Sequence, residues 1–305
     1  LHSTSRRQRQ MCIRDRVAGI RFEAGIFTNC TQDHLDFFGS MKEYAAAKKK
    51  LFEGGRCRFS VINADDKLGL EIAASAPSAV TYGLKNPADV FAVDIEESIS
   101  GVKFVLNLFD ELYEIRLNMP AVHNVYNAMA AATCAKLLGV KTEDVARGLS
   151  ALKSVPGRLE CAGEYSGAHI FVDFAHTPDG LEKSLAALRK LCTGKLYCLF
   201  GCGGNRDKSK RPLMGAVAAK YADFLIITSD NPRYEDPFDI ITQIEEGVKP
   251  SGKAYVTVTD RETATGYAVK LLRAGDILLV AGKGGETYQE IMGIKHSYND
   301  NTVIK

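Results

Sequence analysis

From Arg158 to the C-terminus, short apolar runs alternate with helical stretches, and that alternation constrains the fold more than any other feature. A regular βα alternation predicts a mostly parallel sheet covered by helices. The strands are expected near His169–Asp173, Lys195–Phe200, Phe224–Thr228, Ala254–Val258 and Ile277–Ala281. After the first of them, Thr177 and Pro178 supply an N-cap and a first helical residue. Leu181, Leu185, Leu188 and Leu191 then share one face. Ligands of open α/β sheets bind where loops leave the carboxyl ends of the strands, so these loops are where a site is to be sought.

The richest stretch is Leu199–Arg233. Its first loop carries Gly201, Gly203 and Gly204, then Arg206, Lys208, Lys210 and Arg211; its second carries Asp230, Asn231 and Arg233 around Pro232. Together they suit an anionic or zwitterionic ligand, although the same residue types also make ordinary turns. Asp173 and His176 stand just before the helix at Thr177, where a helix N-terminus favours phosphate; a lone histidine is more often structural. The last motif, AGKGGETYQ (Ala281 to Gln289), offers Glu286 either to a substrate ammonium or to a helix cap. All five loops are expected to open on the same edge of the sheet.

The first half begins with a strand ending near Asn29 and a polar loop bearing Asp33, His34 and Asp36. Ser40 and Glu43 form a capping box, so a helix starts there. Tyr44, Lys48 and Phe52 recur at helical spacing, which turns Lys48 inward and Lys49 and Lys50 away. An inward lysine is commonly a snorkelling stem; the alternative is a lysine brought into a polar site beside His34. A buried strand follows, ending at Asn63, Asp65 and Asp66. Val90–Asp94, Val102–Leu108 and Leu112–Met119 read as antiparallel strands, and Asn124–Leu138 as a helix with small residues along one face. A further helix runs from Thr142 to about Leu152. Pro156–Gly157 marks the boundary, giving domains 17–155 and 156–305.

At 305 residues two domains are expected. A net charge of +2 argues against a dedicated nucleic-acid binder, and no run is long enough for membrane insertion. The eight cysteines are scattered without a CxxC pair, which fits reduced thiols in a cytoplasmic protein. Neither a GxxxxGK[ST] phosphate loop nor a GxGxxG fingerprint occurs. Residues 1–16 are arginine-rich without apolar periodicity and read as a leader foreign to the natural domain, such as a sequence-assembly artefact.

Taken together, FTNCTQDHLDFFGSMKEYAAAKKKLF, INADD, NVYNAMAAA, VPGRLE, VDFAHTPDGLEKSL, FGCGGNRDKSKRPLMG, SDNPR and GKGGETYQ resemble the motifs of the Mur ligases. These are ATP-dependent amide-bond enzymes of peptidoglycan synthesis, and the match is to their diaminopimelate-adding branch. The resemblance implies an α/β chain: part of the central ATP-binding domain, then a complete Rossmann-like C-terminal domain that binds the incoming amino acid. It implies a monomer that adds meso-2,6-diaminopimelate to UDP-N-acetylmuramoyl-L-alanyl-D-glutamate through an acyl phosphate, with ATP and Mg2+ as cofactors. The family's N-terminal domain and phosphate loop are not matched, so the chain is expected to be a truncated and inactive form.

Residue by residue, His34 matches a magnesium ligand and Lys48 the lysine that becomes carbamylated. Asn63, Asn124, Asn127, Arg158, Asp173 and His176 match positions near the nucleotide. Arg206, Asp230, Asn231, Pro232, Arg233, Gly282 and Glu286 match the diaminopimelate pocket. There an arginine can hold the distal carboxylate in bidentate geometry, and Glu286 can pair with the ammonium. Two departures stand out: Gly285 replaces the histidine of GKGHE, and Ala121-Val122-His123 replaces glycine-arginine-phenylalanine. The alternatives are a lysine-adding Mur ligase, a folylpolyglutamate-synthase-like ligase, and a non-catalytic amino-acid-binding fragment.

Overall fold

The computed structural model describes residues 19–31 and 38–305. Two compact units emerge. Among the described residues the first comprises those up to Ile95, with 104–115 and 125–149; the second comprises 96–103, 116–124 and 150–305.

In the first half, β1 (Phe22–Phe27), β2 (Cys57–Asn63), β3 (Ala79–Gly83) and β4 (Val90–Ser98) pair in parallel, in that order. The strands β5 (Gly101–Leu108) and β6 (Glu111–Leu117) continue the same sheet. Their connections are two residues long, too short for a crossover, so these strands run antiparallel as expected. Phe109 and Asp110 both take positive φ (53° and 66°), the backbone of a hairpin turn that follows the strands' own twist. The helices are α1 (Met41–Lys49), α2 (Lys67–Ala73), α3 (Val122–Leu137) and α4 (Thr142–Ala151). Ser40 caps α1 by accepting from Glu43 N at 3.3 Å.

The second half confirms the alternation. Its sheet has the order β11-β10-β9-β12-β8-β7. The parallel strands are β8 (Ala168–Asp173), β9 (Leu196–Phe200), β10 (Phe224–Ile227), β11 (Tyr255–Thr257) and β12 (Ile277–Ala281). An edge strand, β7 (Glu160–Tyr165), pairs antiparallel with β8. Sequence reasoning passed over it because a register shift between Cys161 and Gly163 breaks the alternation that marks a strand.

Strand residues of opposite parity feed two cores. Cys198, Phe200, Leu225, Ile227 and Leu279 pack with α5 (Pro178–Leu191), α6 (Lys210–Tyr221) and α7 (Pro237–Val248). Tyr197, Leu199, Ile226, Leu278 and Val280 pack with α8 (Arg261–Leu271). Thr177 caps α5 by accepting from Gly180 N at 3.2 Å, and Leu181, Leu185 and Leu188 are fully buried. A hairpin, β13 (Tyr288–Ile291) with β14 (Ile294–Ser297), precedes the short C-terminal helix α9 (Asp300–Ile304). Because β8, β9, β10 and β12 are parallel, the loops that follow them leave from one edge.

Candidate functional site

Around the β9 and β10 loops the structure assigns the basic residues two different jobs. Arg211 has no exposed surface; its NH1 and NH2 donate to Glu235 Oε2 and Oε1 at 3.0 and 3.1 Å. NH1 also reaches Gln243 at 2.9 Å, and NH2 the Gly203 carbonyl at 3.2 Å. Lys208 pairs with the same Glu235 at 3.2 Å. Arg211 and Lys208, counted in the sequence reading among cations for a ligand, are therefore partners of Glu235. The reason is that α6 starts at Lys210 and carries Arg211 beneath the loop. The Arg211 guanidinium, aided by the Asn205 amide and Lys208 against the opposing pull of burial, holds Glu235 down to about 2 from an ordinary 4.5.

Arg206 and Arg233 differ from that pair. A Cβ built on Gly203 would lie 2.9 Å from Arg233 NH1 and 3.6 Å from Arg206 Cγ, so both arginines flank one bare stretch of backbone. Arg206 is exposed. Arg233 has a left-handed backbone (φ 54°) and is stitched to the hairpin: its N donates to Glu290 O at 3.0 Å, and its carbonyl accepts from Met292 N at 2.6 Å. Its NH1 donates to the Gly204 carbonyl at 2.9 Å. Its buried Nε lies 3.3 Å from Glu290 Oε2 without making a hydrogen bond.

Next to Arg233 lies an acid–amide cluster. Asn231 is buried; its Oδ1 accepts from Glu290 N at 2.8 Å and Lys283 Nζ at 3.0 Å, and its Nδ2 donates to Glu286 Oε2 at 2.9 Å. The Asp230 carboxylate is 3.9 Å from Lys283 Nζ, and the Asp230 carbonyl accepts from Gln289 Nε2 at 2.7 Å. Gly282 has φ 110°, and a Cβ there would sit 2.6 Å from Asp230 Oδ2, so only glycine brings these loops together. Pro232 is buried, and its backbone lies against Gly204, where a Cβ would meet the Pro232 carbonyl oxygen. The structure thus gathers all seven residues expected of the amino-acid pocket and adds Lys283, which the sequence reading passed over. The signal was available: a lysine between two glycines at a strand end, where backbone freedom can turn its side chain inward.

The β8 loop is built around Asp173 and Phe174. Asp173 is buried, with Oδ2 accepting from Leu159 N at 2.7 Å and Oδ1 from Ala175 N at 2.9 Å and Ser184 Oγ at 3.1 Å. Phe174 carries Arg158 over its ring at 5.0 Å and meets the His176 ring edge-on at 4.7 Å. His176 Nδ1 lies 2.8 Å from the Phe174 carbonyl. At Gly157 (φ 66°) a Cβ would fall 2.3 Å from Gly285 N and 2.5 Å from the Gly284 backbone, so the VPG turn sits directly on the GKGG loop. At Gly285 itself a Cβ would meet Pro156 Cβ at 3.5 Å and the Pro156 carbonyl oxygen at 3.6 Å, ordinary contact distances. Ala121 takes φ 80°, a conformation that suits the glycine usual at this position. Burial pushes His123 below the ordinary imidazole range, with Asp173 opposing.

In the first unit, Lys48 and Asn63 reach the same strand end. Lys48 Nζ donates to Asn29 O at 2.7 Å and lies 4.9 Å from the Tyr44 ring centroid, while Asn63 Nδ2 donates to Thr28 O at 2.7 Å. Lys49, expected to point away, is half-buried and pairs with Glu71 at 2.6 Å. Asp66 caps α2 and also accepts from Cys30 N at 2.9 Å. Asp65 takes in Leu84, Lys85 and Asn86 amides and the Tyr126 hydroxyl; burial opposes, but these donors hold its carboxyl below the ordinary range. Asn127 is exposed. In the second unit, Asn124 is buried and donates to Pro120 O at 2.7 Å. His34, with Asp33 and Asp36, lies outside the described residues. Among the described residues no group of three His, Cys, Asp or Glu is arranged to hold a metal ion, and none of the helices is long and apolar enough to cross a membrane.

Comparison with known proteins gives a consistent result. Residues 7–135 match the Mur ligase middle domain, and residues 157–284 match the Mur ligase glutamate ligase domain. The chain is 46% identical over 291 residues to UDP-N-acetylmuramoyl-L-alanyl-D-glutamate–2,6-diaminopimelate ligase of Caldanaerobacter subterraneus subsp. tengcongensis, covering 95% of this chain and 60% of that one. With the like-named protein of Geobacillus kaustophilus it shares 41%, covering 95% and 61%. A solved structure of a protein of that name aligns at 34% identity with a TM-score of 0.60, over 97% of this chain and 62% of that one. A pseudomurein peptide ligase type C from Methanothermus fervidus aligns with a TM-score of 0.70 at 21% identity, a likeness of fold. The chain spans about 60% of the length of the curated relatives it matches.

Proposed function

This chain belongs to the Mur ligase family, and from that premise we propose that it acts in the ATP-dependent addition of meso-2,6-diaminopimelate to UDP-N-acetylmuramoyl-L-alanyl-D-glutamate. The reaction belongs to cytoplasmic peptidoglycan synthesis, and the protein works as a monomer. One observation carries the choice of amino acid: Arg233, with Arg206 against the same Gly203, stands beside an acid–amide cluster of Asp230, Asn231 and Glu286. Diaminopimelate has a second ammonium–carboxylate centre beyond its reacting amine. Arg233 is suited to the distal carboxylate, and Glu286 to the ammonium. Pro232 and Gly282 allow the close approach of the loops. Lysine has no distal carboxylate to offer.

In this reading ATP phosphorylates the D-glutamate side-chain carboxylate, the bound amine attacks the acyl phosphate, and the tetrahedral intermediate expels phosphate. Residues 156–305 hold and orient the amino acid, so that attack becomes effectively unimolecular. In this reading Asn63 and Asn127 of the first unit, and Asn124, Arg158 and His176 of the second, are the residues assigned to the nucleotide. Asp173 acts through its loop, since both its oxygens are engaged by Leu159, Ala175 and Ser184. Mg2+ belongs to the same reading, with His34 and carbamylated Lys48 on its side; carbamylation would turn the ammonium at the Asn29 carbonyl into a carboxylate-like group. The described residues do not compose a metal cluster by themselves.

Calorimetric titration tests the assignment. Wild type should prefer meso-diaminopimelate to L-lysine, and Arg233→Ala should weaken meso-diaminopimelate binding about 10- to 100-fold, the loss of charge-assisted hydrogen bonds. Equal affinity for lysine, or an Arg233→Ala variant that binds as wild type does, would refute it.

A further inference from the structure

Lys283, in the strand-end cluster, has no exposed surface. It follows Gly282 (φ 110°) and precedes Gly284 (φ 52°), so the loop folds its side chain inward. Its ammonium donates to Asn231 Oδ1 at 3.0 Å and Glu286 Oε2 at 3.2 Å, 3.9 Å from Asp230 Oδ1. The Tyr288 and Tyr298 rings enclose it at 5.9 and 6.0 Å. A buried ammonium is costly unless it is paired, and this one is paired twice over.

Resting on the functional reading above, we propose that Lys283 is a positioning residue that builds the receptor for the substrate's ammonium group. Two effects carry this. The first is orientation. Asn231 Oδ1 accepts from both Lys283 Nζ and Glu290 N, which commits the amide to one orientation and sends Nδ2 to Glu286 Oε2. Glu286 Oε2 is then held by Nδ2 and Nζ together, and neither engages Oε1. The second is charge. Asp230 and Glu286 bring two negative charges against one positive, and of the three side chains Glu286 is the most open, at 26% exposure. The surplus negative charge therefore surfaces at Glu286, where an ammonium group can meet it. Lys283 lets two carboxylates share one small site while leaving one of them available.

The test compares wild type and Lys283→Met by calorimetric titration with meso-diaminopimelate and with pimelate. Pimelate has the same carbon chain and both carboxylates but no ammonium groups. Wild type should prefer meso-diaminopimelate by at least about tenfold, from charged hydrogen bonds to the ammonium. Lys283→Met should lose most of that preference while keeping its pimelate affinity within about twofold, because the guanidinium contacts remain. A merely structural lysine would change both affinities or neither, not their ratio. Lys283→Gln, which keeps a donor without the charge, should show the same loss and stands in if the methionine variant does not fold. An unchanged ratio overturns the proposal. Failure of wild type itself to bind meso-diaminopimelate refutes the functional reading instead, and the role of Lys283 falls with it.

Discussion

Glu235→Gln isolates the clamp that joins the β9 and β10 loops. Glu235 takes both terminal nitrogens of Arg211 at 3.0 and 3.1 Å, the Lys208 ammonium at 3.2 Å, and the Asn205 amide. Its carboxyl is held at about 2 against an ordinary 4.5. At about 1.4 kcal/mol per pH unit, that gap corresponds to about 3 kcal/mol of preference for the ionised form. The rim of the pair is open to solvent, with Glu235 14% and Lys208 63% exposed, so screening reduces the contribution to about 2 kcal/mol. The folded-state value is depressed, so this stability is present above the unfolded value near 4.5 and is lost as pH falls toward 2. Denaturant titrations of wild type and Glu235→Gln should differ by about 2 kcal/mol at pH 7 and by less than half that at pH 3. The glutamine variant should lack the corresponding acid slope. A difference under about 0.5 kcal/mol at pH 7, or one of equal size at both pH values, would show that the pair does not hold the loops.

Two further sets of variants probe the scaffold. Gly157→Ala should destabilise by at least about 2 kcal/mol, since the new Cβ enters the Gly284–Gly285 backbone at positive φ. Gly285→Ala should change stability by less than about 0.5 kcal/mol, and thermal melts that reverse this order would contradict the packing of the two loops. Asp300→Ala should cost about 3–5 kcal/mol, because it strands the fully buried Arg261, whose Nε and NH2 donate to Asp300 at 2.9 Å. Arg261 NH2 also holds the Ala281 carbonyl at 3.0 Å, so hydrogen exchange should rise at residues 282–286 before the rest of the sheet; unchanged protection there would sever α9 from the loop.

Much of the site was legible because strand ends and glycines are local facts. The five parallel strands, the Thr177 cap and the leucine face of α5 all follow from periodicity and turn chemistry within single segments. So did the choice of loops: Arg206, Asp230, Asn231, Arg233, Gly282 and Glu286 come together because parallel strands must release their loops at one edge. The edge strand β7 escaped because its bulge erases the alternation on which strand recognition depends.

Which charges face a ligand and which face each other was not local. Arg206, Lys208 and Arg211 stand within six residues, yet α6 buries Arg211 against Glu235 from another loop, and Lys208 joins it. Lys283 is adjacent in sequence to a glycine already singled out, but its partners lie 52 and 53 positions away as well as three. By itself the sequence determined the alternating fold, the family and the loops that carry function, because hydrophobic period and turn residues act over a few positions. Only the tertiary structure decided the pairing of charges within those loops, because a buried ion must find its counter-ion wherever the chain brings one.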